Sequence, residues 1–174
     1  MEFRQYDERN IRVMIKKIKL DKNLVGIAGV YYTAAKLTHM GYVALVTTRN
    51  TKAYDLLVFK QGERKVLPIQ VKTRSSGGFR VVGIDDIKTI NRELIKKITC
   101  PYVLVDLKEE YPDFYILSTN QMRELVKKDW NFWEHNHTHR KPVRKTKVQI
   151  IFQLRETMNL LNDYKNKWEN LHLS

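Results

Sequence analysis

The chain contains two neighbouring strand-like runs, AYDLLVFK (Ala53–Lys60) and KVLPIQVKT (Lys65–Thr73). Both are rich in β-branched and aromatic residues, as strands are. The linker between them contains Gly62, which can take positive φ at the first central position of a tight turn. The pattern therefore predicts an antiparallel β-hairpin.

The position of the turn sets the register of this hairpin. If Gln61 and Arg64 flank the turn, the two residue numbers of each cross-strand pair add to 125. Asp55 then lies directly across from Gln70. Pro68 cannot donate a ladder hydrogen bond, so it predicts an edge or a bulge and leaves the register open by one residue.

The hairpin gathers three polar side chains. Residues two apart on a strand face the same side, so Gln70 and Lys72 project together while Ile69 and Val71 point into the core. With Asp55 alongside Gln70, a carboxylate, an amide and an ammonium meet at one sheet surface.

This trio suits phosphodiester hydrolysis. Mg²⁺ or Mn²⁺ prefers oxygen ligands, which Asp55, the Gln70 amide and the Val71 backbone carbonyl can supply. Lys72 can orient a water or stabilise charge on the phosphate. The alternative is a surface hairpin whose Asp–Lys pair has no catalytic role and contributes little to the stability of the fold.

The rest of the chain predicts helices around a sheet. Residues 5–19 and 26–39 read as helices, 42–48 as a strand, 85–98 as a helix, 102–107 and 114–117 as strands, and 119–130 and 151–171 as helices. This order predicts one α/β domain with a mixed sheet flanked by helices.

Charge points to a polyanionic partner. The 174 residues carry 32 Lys and Arg against 19 Asp and Glu, a net charge of +13. Nucleic acid is the first candidate, an anionic membrane the second, and simple solubility the alternative to both. The N-terminus lacks a secretory signal, and the single Cys100 favours a packed thiol in a reducing, cytoplasmic setting.

The spacing of these motifs resembles the PD-(D/E)xK, or restriction-endonuclease-like, nuclease superfamily. The resemblance is carried by GIAGVYYTAAKLTHMGY (Gly26–Tyr42), NTKAYD (Asn50–Asp55) and IQVKT (Ile69–Thr73). It is greatest to small stand-alone members of the Holliday-junction-resolvase-like type. It implies a core of about residues 24–118 followed by a helical extension over 119–174, a divalent metal, and cleavage of DNA. By position, Asp55, Gln70 and Lys72 match the acidic, D/E and lysine positions of the motif.

Two residues depart from that pattern. Gln70 is neutral where a carboxylate is usual, and Val30 follows Gly26 and Gly29 where many relatives carry Glu. A single formal negative charge then remains for the metal, which lowers the expected affinity. Three hypotheses follow: a DNA endonuclease, a catalytically inactive DNA-binding protein on the same scaffold, and a basic interaction module.

Several cations are predicted to contact phosphates. They flank the proposed centre or lie in the basic run near the C-terminus: Arg49, Lys52, Arg74, Arg80, Arg140, Lys141, Arg144 and Lys145. A solvated linker is the alternative for the C-terminal run. A two-fold symmetric substrate would favour a homodimer.

Overall fold

The computed structural model describes residues 21–48, 54–84, 95–136, 150–154 and 157–173, without the side chains of 82–84, 133–136 and 150–154. The elements, in chain order, are α1 (Lys22–His39), β1 (Tyr42–Val46), β2 (Leu56–Lys60), β3 (Leu67–Arg74), β4 (Phe79–Ile84), β5 (Tyr102–Asp106), β6 (Asp113–Leu117), α2 (Thr119–Asn136), β7 (Ile150–Leu154) and two 3₁₀ helices, Met158–Tyr164 and Trp168–Leu171. The predicted helix over 5–19 lies outside the described residues. Of the predicted helix over 85–98, residues 95–97 are helical, 98 is not, and 85–94 lie outside the described residues.

Five strands form a mixed sheet in the order β1-β2-β3-β5-β6. β3 and β5 run parallel, and the other neighbouring pairs are antiparallel. The prediction of a mixed sheet flanked by helices is confirmed.

The predicted hairpin register is confirmed, but the turn lies one residue earlier. Leu56 pairs with Ile69, so the pair numbers add to 125. The turn is closed by the Glu63 N–H, which donates to the Lys60 carbonyl at 2.9 Å. Gly62, with φ of 85°, therefore occupies the second central position. The register survives because residues 63–66 form no strand and lengthen the loop.

Pro68 is accommodated inside β3 and not at a bulge. It pairs with Leu57 of β2, whereas pairing with β5 begins only at Gln70. Pro68 thus lies where β3 has one neighbouring strand, and its missing N–H costs no bond to β5.

Helix α1 begins four residues before its predicted start. The Asp21 side chain accepts the Asn23 N–H at 2.8 Å and caps the helix, as Asp commonly does. The buried residues Val25, Gly29, Thr33 and Leu37 recur every four residues and form the face that packs on the sheet.

Alternation along the central strands divides the core in two. On the α1 face, a cluster includes Ile69 and Val71 of β3 together with Val103 and Val105 of β5. On the opposite face, Tyr102, Leu104 and three buried side chains of α2 belong to a second cluster: Met122, Leu125 and Val126. The sheet is therefore covered on both faces.

The C-terminal part differs from the prediction of one last helix over 151–171. Residues 150–154 form β7, which pairs with β4 in a separate two-stranded sheet. The sequence IIFQL is rich in β-branched and aromatic residues, which favour a strand once a partner is available. β4 itself was not predicted, since residues 79–84 carry Gly83 and follow a Ser/Gly stretch.

The end of the chain covers the outer edge of β6. The Asn166 N–H donates to the Phe114 carbonyl at 2.9 Å, and the Asn170 side chain donates to the Ile116 carbonyl at 2.8 Å. Lys165 pairs with Asp113 at 2.9 Å. One edge of the five-stranded sheet is thereby closed by the chain's own C-terminal segment. None of the helices in the described part of the chain could span a membrane.

Candidate functional site

Asp55 is fixed by its backbone at the start of β2. Its N–H donates to the Ile69 carbonyl at 2.9 Å, and its carbonyl accepts the Thr47 N–H at 3.0 Å. The Thr47 hydroxyl also donates to the Tyr54 carbonyl at 2.9 Å. Bonds to strands on both sides hold this residue in place before any ligand arrives.

The Asp55 carboxylate is held against β3. Its Oδ2 atom accepts the backbone N–H of Val71 at 2.8 Å and an N–H of the Gln70 amide. A backbone N–H on a carboxylate is a charge-assisted bond that fixes its orientation. The predicted meeting of Asp55 and Gln70 is therefore present.

Lys72 joins them on the same face of the sheet. Ile69 and Val71 are buried on the α1 side, so Gln70 and Lys72 project from the opposite side. Lys72 pairs across the parallel ladder with Leu104, which belongs to the core cluster on that opposite face. The side chains of Gln70 and Lys72 therefore share one face of the sheet, and the Asp55 charge acts on the Lys72 ammonium.

Burial dominates the electrostatics of Lys72. It lowers the pKa of the Lys72 ammonium, and the nearby Asp55 carboxylate partly offsets this by raising that pKa. A cation that has lost water interacts more strongly with any anion brought beside it. A negatively charged group placed beside Lys72 would therefore be attracted more strongly than by an exposed lysine.

Two further residues line this site and were not predicted as part of it. Cys100 is buried, as predicted for a packed thiol; burial raises its pKa, and a backbone hydrogen bond from Gln70 lowers it. Burial also raises the pKa of Tyr102, with smaller contributions from Cys100 and Asp55. The parallel pairing of Gln70 with Tyr102 brings them here, and no local signal in the sequence indicates that long-range pairing.

The donor set fits a hard divalent cation. In an extended strand the N–H and C=O of one residue point to the same side, so the Val71 carbonyl lies on the side where its N–H meets Asp55. The backbone groups of Gln70 face β5, as shown by the 3.0 Å bond from the Gln70 N–H to the Pro101 carbonyl. Those of the next residue, Val71, therefore face away from β5. Rotating the Gln70 amide would add a second neutral oxygen beside the carboxylate. These are oxygen ligands that Mg²⁺ and Mn²⁺ accept.

The charge of this donor set is low. Across the described ranges, no group of three or more His, Cys, Asp or Glu could hold a metal ion.

Val30 packs against the α1-side core cluster. Its neighbour Gly29 touches β3 so closely that a Cβ there would lie 1.9 Å from the Thr73 Oγ1 atom. Residue 30 therefore lies on the α1 side of the sheet, opposite the side from which Gln70 and Lys72 project.

The predicted phosphate contacts fall in different environments. Arg74 donates through Nε to Asp106 at 2.9 Å and through a second nitrogen to the same oxygen. Its side chain is 10% exposed, and it also lies 4.8 Å from the Phe79 ring centroid. Arg80 is exposed on β4. The other predicted contacts lie outside the described residues: Arg49, Lys52, Arg140, Lys141, Arg144 and Lys145.

Comparisons with known proteins give a resemblance in structure but none in sequence. No protein-family model matches the chain, and no curated protein matches it in sequence. A similar solved structure is a bacterial homing endonuclease, I-Ssp6803I, with 14% identity and a TM-score of 0.49 over 88% of this chain and 94% of that chain. At this identity and TM-score, the resemblance establishes neither the family nor the function of the chain.

Proposed function

We propose that this chain is an endonuclease-like protein of the PD-(D/E)xK type that hydrolyses phosphodiester bonds in DNA with a divalent metal. The observation that carries the proposal is the convergence of Asp55, Gln70 and Lys72 on one face of the sheet, with Asp55 bonded to β3. The net charge of +13 supports a polyanionic substrate.

In this proposal each residue has a distinct role. Asp55 and the carbonyl oxygens of Gln70 and Val71 hold Mg²⁺ or Mn²⁺, which when bound supplies Lewis-acid polarisation of the phosphate and acidification of water. Lys72 donates to a phosphate oxygen or orients the attacking water. Because Lys72 is desolvated, its stabilisation of developing negative charge is greater than that of an exposed lysine.

The proposed interface includes the exposed Arg80 together with Arg49, Lys52 and the basic run that contains Arg140, Lys141, Arg144 and Lys145. Arg49 and Lys52 lie between β1 and Asp55 in the chain. Arg74 contributes by holding the segment after β3, since it donates to the Gly77 carbonyl at 2.7 Å while it is paired with Asp106.

The decisive experiment is a nicking assay on supercoiled DNA with Mg²⁺ and with Mn²⁺. We expect Lys72→Met to lower the nicking rate by about 10²–10³-fold, the range for removing a group that stabilises charge in the transition state. DNA affinity should change little, because Lys72 is one of many cations in the chain. The matched control is Lys60→Met, at an exposed lysine on β2 that pairs with Glu63 at 3.6 Å. Equal rates for the two variants would contradict the assigned role of Lys72.

A second candidate is a DNA-binding protein without hydrolytic activity on the same scaffold. It is favoured by Val30, which packs as a core residue, and by a donor set with one carboxylate. Such a protein would bind DNA with steep salt dependence and show no metal-dependent nicking. The parent protein alone separates the two candidates in the same assay.

The Val30 position can be tested by adding charge. We expect Val30→Glu to leave Mn²⁺ affinity unchanged, because Val30 packs on the α1 side of the sheet, whereas Gln70 and Lys72 project from the opposite side. Val30→Gln is the control, since it has the same length without the charge. Titration of Mn²⁺ by calorimetry measures both affinities, and tighter binding by Val30→Glu than by Val30→Gln would contradict this placement of residue 30.

A further inference from the structure

The two edges of the five-stranded sheet are unlike. The β6 edge is covered by the chain's own C-terminal segment, through the Tyr115–Lys165 bridge and the bond from Asn166 to Phe114. At the other edge lies β1, which has only β2 as a neighbour in the described sheet. Two of its apolar side chains, Leu45 at 51% and Val46 at 45%, are exposed. An open, apolar edge strand is a template for pairing with another strand.

The hydrogen-bonding groups on this edge can be assigned. The Thr47 N–H donates to the Asp55 carbonyl, in register with the pairing of β1 and β2. Backbone groups alternate along an antiparallel strand, so those of Leu45 and Val43 also face β2. The N–H and C=O groups of Tyr42, Ala44 and Val46 therefore face outward.

We propose that a second copy of this chain pairs with it through β1, antiparallel and with Ala44 on the two-fold axis. This register joins outward-facing groups only: Ala44 to the second copy's Ala44, and Tyr42 to the second copy's Val46 and the reverse. Each such pair exchanges two bonds, which gives about six backbone hydrogen bonds.

The side chains of β1 suit this register. Val43 lies opposite the second copy's Leu45 on one face, and Tyr42 lies opposite Val46 on the other, so every cross-strand pair is apolar or Ala with Ala. β1 contains no charged residue. An acidic partner would find no cation on this strand, and DNA would find no phosphate ligand. An identical strand supplies the complementary groups and gives a closed, two-fold interface.

The pairing has a consequence for the site. A two-fold axis perpendicular to the sheet places both copies of Asp55 on the same side of one continuous sheet. Strand geometry separates them by roughly 25 Å, from three residues along β1 and one and a half strand spacings on each side of the axis. Two hydrolytic centres in that arrangement can cut both strands of a duplex. This consequence rests on the proposed nuclease function, whereas the edge pairing does not.

Association is measured by sedimentation velocity of the full chain without DNA or metal, across protein concentration and ionic strength. We expect a monomer–dimer equilibrium that strengthens as salt is raised, because salt screens the repulsion between two copies of charge +13. A parent that stays monomeric at every concentration and ionic strength overturns the proposal.

A matched pair of variants locates the interface. Val46→Lys and Val66→Lys each add one positive charge at a valine of similar exposure, 45% and 48%, and only Val46 lies in β1. We expect Val46→Lys to weaken dimerisation by at least about tenfold, the effect of placing like charges and a polar group at a strand edge, while Val66→Lys matches the parent. Equal association of the two variants overturns the proposal.

Ala44→Pro gives an independent test, because it removes an outward N–H and proline is tolerated on edge strands. With circular dichroism confirming the fold, it should be monomeric. A dimeric parent that does not nick DNA would contradict the proposed function and leave the edge pairing standing. A monomeric parent that nicks DNA would do the reverse.

Discussion

Replacing Asp55 by Asn is expected to lower metal-dependent nicking by at least about 10³-fold, the upper range for loss of one group that acts on transition-state charge. Asn keeps the size of the side chain and an oxygen that can accept the Val71 N–H. It removes the single formal negative charge of the proposed donor set. Because ligand charge is a main determinant of hard-cation affinity, the remaining activity should need far more Mg²⁺.

The same substitution at a distant carboxylate controls for general effects. Asp113 lies on β6, pairs with Lys165, and its side chain is 42% exposed. Asp113→Asn should nick DNA at the parent rate. If Asp55→Asn and Asp113→Asn have similar rates and metal requirements, Asp55 is not a ligand.

Gly29→Ala is expected to lower the free energy of unfolding by about 3 kcal/mol, the upper part of the range for overpacking a closely packed interior. A Cβ at this position would lie 1.9 Å from the Thr73 Oγ1 and 2.8 Å from the Thr73 Cβ. Since Gly29 is on α1 and Thr73 is on β3, helix and sheet would have to separate. Urea denaturation followed by circular dichroism measures the change.

Gly26→Ala is the matched control, because nothing lies within 4 Å of a Cβ built there. In the same helix, it should raise stability by up to about 1 kcal/mol, the difference in helix propensity between Gly and Ala. Thr73→Ala should rescue Gly29→Ala only in part, because it removes the Oγ1 but leaves the Cβ at 2.8 Å. Equal stabilities for Gly29→Ala and Gly26→Ala would contradict the close contact between α1 and β3.

The local pattern is sufficient to predict the hairpin and the contact between Asp55 and Gln70. Alternation fixes which side Gln70 and Lys72 share, and the pair sum of 125 places Leu56 opposite Ile69 as observed. The turn itself was misplaced by one residue, because a Gly with positive φ suits either central position of different turn types. Because residues 63–66 lengthen the loop, the pairing of β2 with β3 keeps the predicted register.

The pairing of strands that are far apart in the chain could not be predicted from local sequence patterns. The parallel pairing of β3 with β5 brings Tyr102 beside Gln70, and the pairing of β4 with β7 turns residues 150–154 into a strand. The ion pair between Arg74 and Asp106 follows from the same parallel register. Such contacts depend on which strands become neighbours, and propensity and periodicity carry no information on that choice.

Mn²⁺ binding, followed by electron paramagnetic resonance on the parent and on Asp55→Asn, measures most directly whether Asp55, Gln70 and Val71 form a cation site. We predict one ion per chain in the parent and a loss of most of that binding in the variant. A parent that takes up no Mn²⁺, or a variant that binds it as the parent does, would contradict the proposed metal-dependent reaction.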